Sequence, residues 1–212
     1  LHCDVTASAH LRLLMDAVFG PKNFRNEIIW YYYNKMHDRR KRLFPRAHDT
    51  VLFYVKDVEA DFTYHKLKEE RETPIKQLIR KKVGGRMVNV KGPDGRVLYR
   101  MAEDRTVDNV WRIPCLQPAA TERLGYPTQK PEAVLERIIL ASTNEGDTVL
   151  DPFCGCGTTI AAAAGLKRRW IGIDITHLAI TLIRHRLHHM YGGRLKYRVI
   201  GEPEDLAGAT EL

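Results

Sequence analysis

The sequence predicts an α/β fold in which helices flank a parallel β-sheet. A short apolar strand at residues 148–150 leads through a glycine-containing loop into an alanine-rich helix that ends at Gly165. A second apolar strand, at residues 170–173, leads into a helix that begins near Thr176. This strand–helix–strand–helix order, at this spacing, is typical of a parallel sheet covered by helices.

The composition is that of a globular protein of one domain with an inserted subdomain. The 212 residues are 44% hydrophobic and 28% charged, as in ordinary soluble proteins. No apolar run is long enough for a membrane helix. The four cysteines are too few for a disulfide framework, and Cys154 and Cys156 lack the two-residue gap of most zinc sites. We therefore expect reduced thiols, no metal and no membrane segment.

The first half of the chain predicts a helix, a hairpin and an insert. Apolar residues at helical spacing follow Ser8 and stop at Gly20. The β-rich runs at 28–33 and 50–55 predict a hairpin with a basic tip. Residues 58–110 are polar and broken by glycine pairs, which indicates an irregular insert of short strands. Apolar periodicity returns at 132–144 and predicts another helix.

The positive charge is concentrated in one part of the chain. The formal net charge is +8, and residues 35–105 carry the whole excess. Five cations fall within eight residues of this segment: Arg39, Arg40, Lys41, Arg42 and Arg46. Like charges this close repel one another unless a polyanion neutralises them. The cluster therefore favours a phosphate-rich partner such as nucleic acid over a merely solvated surface.

Two acids stand where ligands bind in parallel sheets. Asp151 and Asp174 each close an apolar strand, and ligands of such sheets bind beyond the carboxyl ends of the strands. Gly155 and Gly157 lie between them and allow close approach of the backbone to a ligand. An acid after the second strand is placed to bind the hydroxyls of a ribose. This arrangement predicts a site for an adenosine-containing cofactor; the alternative is a glycine loop shaped only by packing.

The same residues discriminate between cofactors. The dinucleotide fingerprint needs a glycine where the chain has Ile160, and the Gly-Lys-Ser/Thr of a P-loop is absent. An acid before the glycines would repel a pyrophosphate but attracts a cation. S-adenosylmethionine, whose sulfur is a cation, fits this pattern best.

Three motifs in one order make the chain resemble a known family. They are Tyr-Pro-Thr-Gln-Lys-Pro at 126–131, Asp-Pro-Phe-Cys-Gly-Cys-Gly-Thr-Thr at 151–159 and Ile-Gly-Ile-Asp-Ile at 171–175. They closely resemble the DNA amino-methyltransferases of restriction–modification systems, which methylate adenine N6 or cytosine N4. The order matches the permuted β class, whose catalytic half precedes its cofactor half. The resemblance covers the chain apart from about residues 57–106, where the family has its target-recognition segment.

The resemblance implies a Rossmann-like S-adenosylmethionine-dependent methyltransferase sheet with helices on both faces and an inserted target-recognition segment. Residues 1–56 would complete the catalytic half, 57–106 would recognise the target and 107–212 would bind the cofactor. The cofactor-binding residues implied are His2, Asp4, Thr128, Lys130, Asp151, Phe153, Gly155, Gly157, Asp174 and Ile175. The DNA-binding residues that we predict are Arg39, Arg40, Lys41, Arg42, Arg46 and His48. Two of these residues have an alternative role. Phe153 could simply pack in the core, and Lys130 could be a solvated lysine at the start of a helix. The aromatic residues at 31–33, 53 and 54 either pack within the sheet or stack on a flipped base.

One family motif is missing from these residues. The catalytic tetrapeptide of the family is Asp/Asn/Ser-Pro-Pro followed by an aromatic residue, and the chain has no Pro-Pro pair. In the family it would lie upstream of Leu1, so we assign no catalytic residue and expect the chain alone to be inactive. The resemblance implies a cytoplasmic, prokaryotic or phage enzyme that methylates adenine N6 in double-stranded DNA. The alternatives are cytosine N4 and a non-catalytic cofactor- or DNA-binding fragment. The resemblance also allows two further partners, a restriction endonuclease subunit and a second copy of the chain.

Overall fold

A computed structural model describes residues 1–36 and 42–201, and the chain divides into two compact units. The first unit comprises Leu1–Cys115 and Ala133–Asn144, and the second comprises Leu116–Glu132 and the chain from Glu145 onwards. The elements of the first unit are β1 (His2–Cys3), α1 (Ser8–Phe19), β2 (Phe24–Tyr31), β3 (His48–Tyr54), β4 (Lys68–Leu78), β5 (Arg80–Val83), β6 (Arg86–Asn89), β7 (Tyr99–Thr106), β8 (Val110–Arg112) and all but the first residue of α2 (Glu132–Ser142). The elements of the second are β9 (Thr148–Asp151), α3 (Thr158–Gly165), β10 (Arg169–Gly172) and α4 (His177–Tyr191).

A four-stranded sheet forms the body of the first unit. Its order is β1-β3-β2-β8, with β2 antiparallel to β3 and parallel to β8. The predicted hairpin is therefore confirmed, although β2 begins four residues earlier than expected. The buried core consists of Trp30, Tyr32, Trp111, Ile113 and Val134. The Trp30 indole donates to the Ile113 carbonyl over 2.8 Å, which satisfies the polar atom of a buried ring.

The inserted segment is more regular than the sequence predicts. Strand β4 has 11 residues and pairs antiparallel with the eight-residue β7, while β5 and β6 form a separate antiparallel pair. The expectation of short, irregular strands is wrong for β4 and β7. Most of their side chains are exposed, so the alternation of apolar and polar residues that reveals a strand is absent. Ion pairs of Glu69 with Arg105 (2.6 Å) and Arg137 (3.0 Å) join this pair of strands to α2.

The second unit has the strand–helix–strand–helix order that the sequence predicts. Strands β9 and β10 are parallel, with Asp151 opposite Gly172. The core consists of Cys154, Ile160, Ile183 and Leu187. A Cβ at Gly172 would lie 2.3 Å from Cδ1 of Ile160, so glycine lets α3 pack closely on β10. This unit holds the two acids and the glycine loop.

Two groups of apolar side chains, one on α1 and one on β9 and β10, are exposed. Leu14 and Val18 of α1 are 57% and 67% exposed, and Leu150 and Ile171, on β9 and β10, are 58% and 53% exposed. The strands of the described residues also form sheets of four, two, two and two strands instead of one parallel sheet.

None of the helices in the described residues, the longest with 15 residues, has the length and apolar content needed to cross a bilayer.

Candidate cofactor-binding site

Asp151 ends β9 and shapes the loop that follows. Its Oδ1 accepts a hydrogen bond from the backbone N–H of Phe153 over 3.1 Å. Its Oδ2 accepts one from the hydroxyl of Thr159 over 2.5 Å. Because Thr159 lies in the first turn of α3, the carboxylate ties the beginning of the loop to its end.

Gly155 and Gly157 give this loop a path that a side chain would prevent. Their φ angles are +50° and +75°, in the left-handed region that favours glycine. A Cβ at Gly157 would lie 2.5 Å from Cγ1 of Ile183, and one at Gly155 would lie 3.1 Å from the ring of Tyr126. The loop backbone therefore packs directly against Ile183 of α4 and against Tyr126, with no room for a side chain between them.

Asp174 lies two residues beyond β10 and reaches back to the same loop. Its Oδ2 accepts from the backbone N–H of Gly155 (2.9 Å), and its Oδ1 accepts from the N–H (3.0 Å) and hydroxyl (2.8 Å) of Thr176. Burial opposes ionisation of this carboxyl, but these hydrogen bonds favour the charged form and hold its pKa below the usual value. Asp174 is therefore a carboxylate at neutral pH, at the same end of the strands as Asp151.

Two large apolar side chains adjoin these acids and remain uncovered. Phe153 is 87% exposed and Ile175 is 99% exposed. The alternative that Phe153 belongs to the core is therefore wrong. An apolar ring and an apolar aliphatic side chain beside two carboxylates suit a ligand with an apolar, flat part and a polar, cationic part.

The segment at residues 126–131 borders the glycine loop on another side. Gln129 braces it, since its Oε1 accepts from the N–H of Leu124 (2.7 Å) and its Nε2 donates to the carbonyl of Glu122 (2.5 Å). Thr128 is exposed and Lys130 half-buried, and Nζ of Lys130 donates to the Thr128 carbonyl over 3.1 Å. Both predicted residues thus belong to a segment that touches Gly155 through Tyr126.

The buried cation Arg186 is a residue of this site that the sequence analysis missed. Its side chain on α4 is 7% exposed; Nη1 donates to the hydroxyl of Thr158 (3.3 Å) and Nη2 donates to Oε1 of Glu132. The apolar spacing of α4 points inward at Ala179, Ile183 and Leu187, and residue 186 lies on the same face. A charged residue at an inward position is the signal that could have identified it.

The cysteines of the loop have a packing role. Cys154 and Cys156 are buried. Burial, together with the smaller effect of the Asp151 and Asp174 charges, raises the pKa of Cys154 to about 11, so the thiol stays protonated and unreactive at neutral pH. Within residues 1–36 and 42–201, no group of three or more His, Cys, Asp or Glu residues is arranged to hold a metal ion.

A protein-family model of N6/N4 methyltransferases, described as DNA methylase, matches residues 1–184. The chain belongs to this family. The match spans most of the chain and confirms the resemblance drawn from the three motifs around Lys130, Asp151 and Asp174.

Curated relatives match this chain over shorter segments. The type II methyltransferase M2.DpnII of Streptococcus pneumoniae is 60% identical over 91 residues, which are 43% of this chain and 34% of that protein. The DNA adenine methyltransferase YhdJ of Escherichia coli is 51% identical over 79 residues, 37% of this chain and 27% of YhdJ. M.BglII of Bacillus subtilis is 31% identical over 151 residues, 71% of this chain and 38% of M.BglII. The matched segments thus span between a quarter and two fifths of these relatives.

Solved structures confirm the fold class. The M1.HpyAVI–SAM complex has a TM-score of 0.59 at 24% identity, covering 88% of this chain and 72% of that one. The cytosine-N4-specific PvuII DNA methyltransferase has a TM-score of 0.54 at 16% identity, covering 86% of this chain and 57% of that one. The chain therefore has the Rossmann-like α/β fold of these structures.

Two predicted cofactor residues of the chain lie in the first unit. His2 places Nε2 3.1 Å from Oδ2 of Asp49, and its ring lies 5.8 Å from that of Trp30. Asp4 accepts from the N–H groups of Thr6 (2.9 Å) and Ala7 (3.0 Å), and its pKa lies below the usual value chiefly because of the Ala7 hydrogen bond. Their part in cofactor binding stays a prediction.

The predicted DNA-binding cluster is described only in part. Arg39, Arg40 and Lys41 lie outside the described residues, and Arg42 is exposed. Arg46 is paired with Asp4 (3.2 Å) and donates to the hydroxyl of Thr6 (2.8 Å), so its charge is partly neutralised. His48 begins β3, and its carbonyl accepts from the hydroxyl of Tyr32.

The aromatic residues of the hairpin mostly pack within the first unit. Tyr32 is buried, Phe53 stacks with Tyr64, and the Tyr54 hydroxyl donates to Asp16 over 2.6 Å. Tyr31 is half-buried, and its ring lies 6.4 Å from that of Tyr33, which is 56% exposed. Packing thus explains Tyr32, Phe53 and Tyr54, while base stacking stays open for Tyr33.

Proposed function

We propose that this chain is the cofactor-binding and DNA-recognition part of a site-specific methyltransferase that acts on adenine N6 in double-stranded DNA. The observation that carries the proposal is the convergence of Asp151, the glycine loop and Asp174 at one end of β9 and β10 in a chain of the DNA methylase family. The adenine assignment is supported by the 51% identity with a relative named as a DNA adenine methyltransferase.

The residues at this end of the strands fit S-adenosylmethionine. When bound, the cofactor supplies a methyl group attached to a positively charged sulfur. The Asp151 carboxylate stabilises that charge, while Gly155 and Gly157 let the ligand approach the backbone. Asp174 is ionised and uses only part of its accepting capacity on Gly155 and Thr176, so it can also accept from ribose hydroxyls. Ile175 and Phe153 offer uncovered apolar surface for the adenine.

The polar end of the cofactor would be bound by the segment beside the loop. Thr128 and Lys130 hold its carboxylate and amino groups, and the half-buried ammonium of Lys130 gives a charge-assisted bond to the carboxylate. The family resemblance alone supports His2 and Asp4 as further cofactor residues. Lys130 thus provides a cation for the ligand's carboxylate, and Asp151 provides a carboxylate for its sulfonium.

We further propose that this chain alone binds cofactor without transferring methyl groups. The exocyclic nitrogen is a poor nucleophile conjugated with its ring, and the family's Asp/Asn/Ser-Pro-Pro-aromatic motif aims it at the methyl group. Such positioning can supply roughly 7 to 11 kcal/mol of the barrier. No Pro-Pro pair occurs in these residues. The exposed apolar side chains of Leu150 and Ile171 support the view that a further element covers the β9–β10 sheet in the active enzyme.

Two alternative functions predict different results in a methylation assay. One neighbour by fold is a cytosine-N4-specific enzyme, and cytosine N4 is an exocyclic amino group that the same geometry can methylate. A non-catalytic cofactor- or DNA-binding fragment is the other alternative, since the chain lacks the tetrapeptide.

The test is a tritiated-methyl transfer assay on mixed-sequence duplex DNA. It compares this chain with a longer protein that includes the tetrapeptide. We expect label in N6-methyladenine with the longer protein and none with this chain. Label in N4-methylcytosine would overturn the adenine assignment. Activity of this chain alone would refute the need for the tetrapeptide, with Asp4 the first residue to test as acceptor. A longer protein that is inactive on its own target site would favour the non-catalytic fragment.

A further inference from the structure

The strands β5 and β6 form a narrow ribbon with both faces open to solvent. Gly84 and Gly85, with φ of +55° and +82°, make the two-residue turn that suits the twist of a hairpin. All eight residues of the two strands are exposed. The base of the ribbon is fixed by backbone hydrogen bonds from Val90 N to Ile79 O (2.8 Å) and from Leu98 N to Val90 O (2.9 Å). It therefore projects from the β4–β7 pair without contributing to a core.

The ribbon carries an unbalanced positive charge. Residues 73–93 contain six Lys and Arg and no Asp or Glu. Four of the cations lie on the ribbon itself: Arg80, Lys81, Lys82 and Arg86. Within the described part of the chain, none of the four forms an ion pair, unlike Lys68, Arg96 and Arg105 nearby. Their repulsion favours an anionic partner.

The strand register gives the two faces different chemistry. Residues that face each other across a pair of strands point to the same side. The pairs Arg80–Asn89 and Lys82–Met87 form one face, and Lys81–Val88 and Val83–Arg86 form the other. Arginine and asparagine are the side chains that bind guanine and adenine edges bidentately, and an apolar group contacts the thymine methyl. Only the first face combines all three types.

We propose that this ribbon enters the major groove of double-stranded DNA, with Arg80, Met87 and Asn89 toward the base edges. The B-form major groove, about 12 Å wide, admits a two-stranded ribbon, whereas the deep, narrow major groove of an RNA duplex does not. Lys81 and Arg86, on the other face, reach the phosphates that border the groove. The inference rests on the proposed DNA substrate and names the element that reads it.

Paired variants separate reading from anchoring. The chain and its variants are used to select bound duplexes from a random-sequence library and are titrated with mixed-sequence duplex at several salt concentrations. Arg80→Ala should relax the selected sequence at one position. Lys81→Ala with Arg86→Ala should leave the preference intact and make the slope of log K against log salt shallower by about 1.8. Arg96→Ala, which removes an exposed cation paired with Asp94, is the matched control and should alter neither result.

Three results would overturn the proposal that the ribbon reads DNA. They are an unchanged preference in Arg80→Ala, an effect of Arg96→Ala as large as that of the ribbon variants, and equally strong competition by duplex RNA. Calorimetric binding of S-adenosylmethionine by every variant verifies the fold. It also separates the cofactor hypothesis from the ribbon hypothesis. If the chain binds the cofactor but the ribbon variants do not alter DNA binding, only the ribbon hypothesis is refuted.

A separate observation concerns Arg186, which joins two parts of the cofactor site. One partner, Glu132, directly follows the 126–131 segment, and the other, Thr158, directly follows the glycine loop. Removing a charge from water is costly, and an apolar residue would fill this inward position of α4. The guanidinium, whose donors diverge in a fixed plane, instead holds two helix starts at a set distance.

We infer that Arg186 is a positioning residue for the methionine end of the cofactor. It fixes Glu132, and with it Thr128 and Lys130, relative to the glycine loop, while Asp174 holds the ribose from a separate strand end. The inference rests on the proposed cofactor. Its loss should therefore affect a ligand with the amino-acid part more than one without it.

The test compares two ligands on the same variants. Arg186→Met should weaken S-adenosylmethionine about tenfold and 5′-methylthioadenosine, which lacks the amino-acid part, less than twofold. Glu132→Gln should behave alike and serves if Arg186→Met does not fold; Arg184→Met, at an exposed position of α4, is the control. Equal losses for both ligands, or none, would reduce Arg186 to a purely structural residue. Failure of the unaltered chain to bind either ligand would instead refute the proposed cofactor.

Discussion

The glycine loop and the β5–β6 ribbon each contain two glycines with positive φ. The physical reason for glycine differs between the two. In the loop, a Cβ at Gly157 would overlap Ile183 and one at Gly155 would press on Tyr126. In the ribbon, a Cβ at Gly84 or Gly85 would meet nothing within 4 Å. Packing against neighbours thus constrains the loop, while only the backbone conformation constrains the ribbon. The difference separates a tightly packed loop, where we propose the cofactor binds, from an open surface.

The largest effect is expected from exchanging the open region as a whole. Replacing residues 57–106 with the segment of a relative that reads another site should transfer the recognised sequence, because base-edge contacts carry specificity and phosphate contacts only position the protein. Each altered base pair is worth about 1–3 kcal/mol. The measurement is methylation of both sites by the complete enzyme. A chimaera that folds, methylates and keeps its original site would contradict the assignment.

The next effect tests the two kinds of glycine directly. Gly157→Ala combines an unfavourable φ with overlap on Ile183 and should lower the free energy of unfolding by about 2–4 kcal/mol. Gly85→Ala, at φ +82° in open space, is the matched change and should cost about 1 kcal/mol. Urea denaturation measures both. Equal losses would mean that packing does not distinguish the loop from the ribbon.

A smaller effect is expected from the predicted cluster beside the hairpin. If four cations meet phosphates, log K for DNA should fall with log salt at a slope near −3.6. Replacing Arg39, Arg40, Lys41 and Arg42 with Ala should flatten that slope. Removing Lys167 and Arg169, two exposed cations of the second unit, should leave it unchanged. An unaltered slope in the fourfold variant would make the cluster a solvated loop.

The smallest effect distinguishes acids of the two regions by pH. The pKa values of Asp174 and Asp104 both lie below the usual 3.8, the first because hydrogen bonds outweigh burial and the second chiefly because Lys68 donates to it. Each carboxylate therefore stabilises the fold above that value, and the stabilisation disappears as pH falls through the lowered pKa. Asp174→Asn should reduce the acid loss of stability with or without salt. Asp104→Asn should do so only at low salt, since its ion pair is exposed.

The second unit could be predicted well because its sequence pattern records its packing. The order of β9, α3, β10 and α4 and the positions of Asp151 and Asp174 follow from apolar runs that end in acids and glycines. Arg186 was missed because its partners are 28 and 54 residues away in the chain, although its inward position was visible. The periodicity shows that a residue faces inward and not what it meets there.

The first unit could be predicted only in part. The β2–β3 hairpin followed from its β-rich runs, but β4 did not, because an exposed pair of strands leaves no apolar alternation. The ion pair of Arg46 with Asp4 joins residues 42 positions apart, and no local pattern announces it. One was predicted to bind the cofactor and the other DNA, and the structure shows them paired with each other.

The central claim is that the end of β9 and β10 binds S-adenosylmethionine through the Asp151 loop and Asp174. Calorimetric titration of the chain with the cofactor tests it most directly, with Asp174→Ala as the variant and Asp94→Ala, in the inserted segment, as the control. Loss of a buried hydrogen bond to a charged group costs about 1.5–3 kcal/mol. We therefore predict one site in the unaltered chain and in Asp94→Ala, and at least tenfold weaker binding in Asp174→Ala. Unchanged affinity in Asp174→Ala, or no binding by the unaltered chain, would contradict the account.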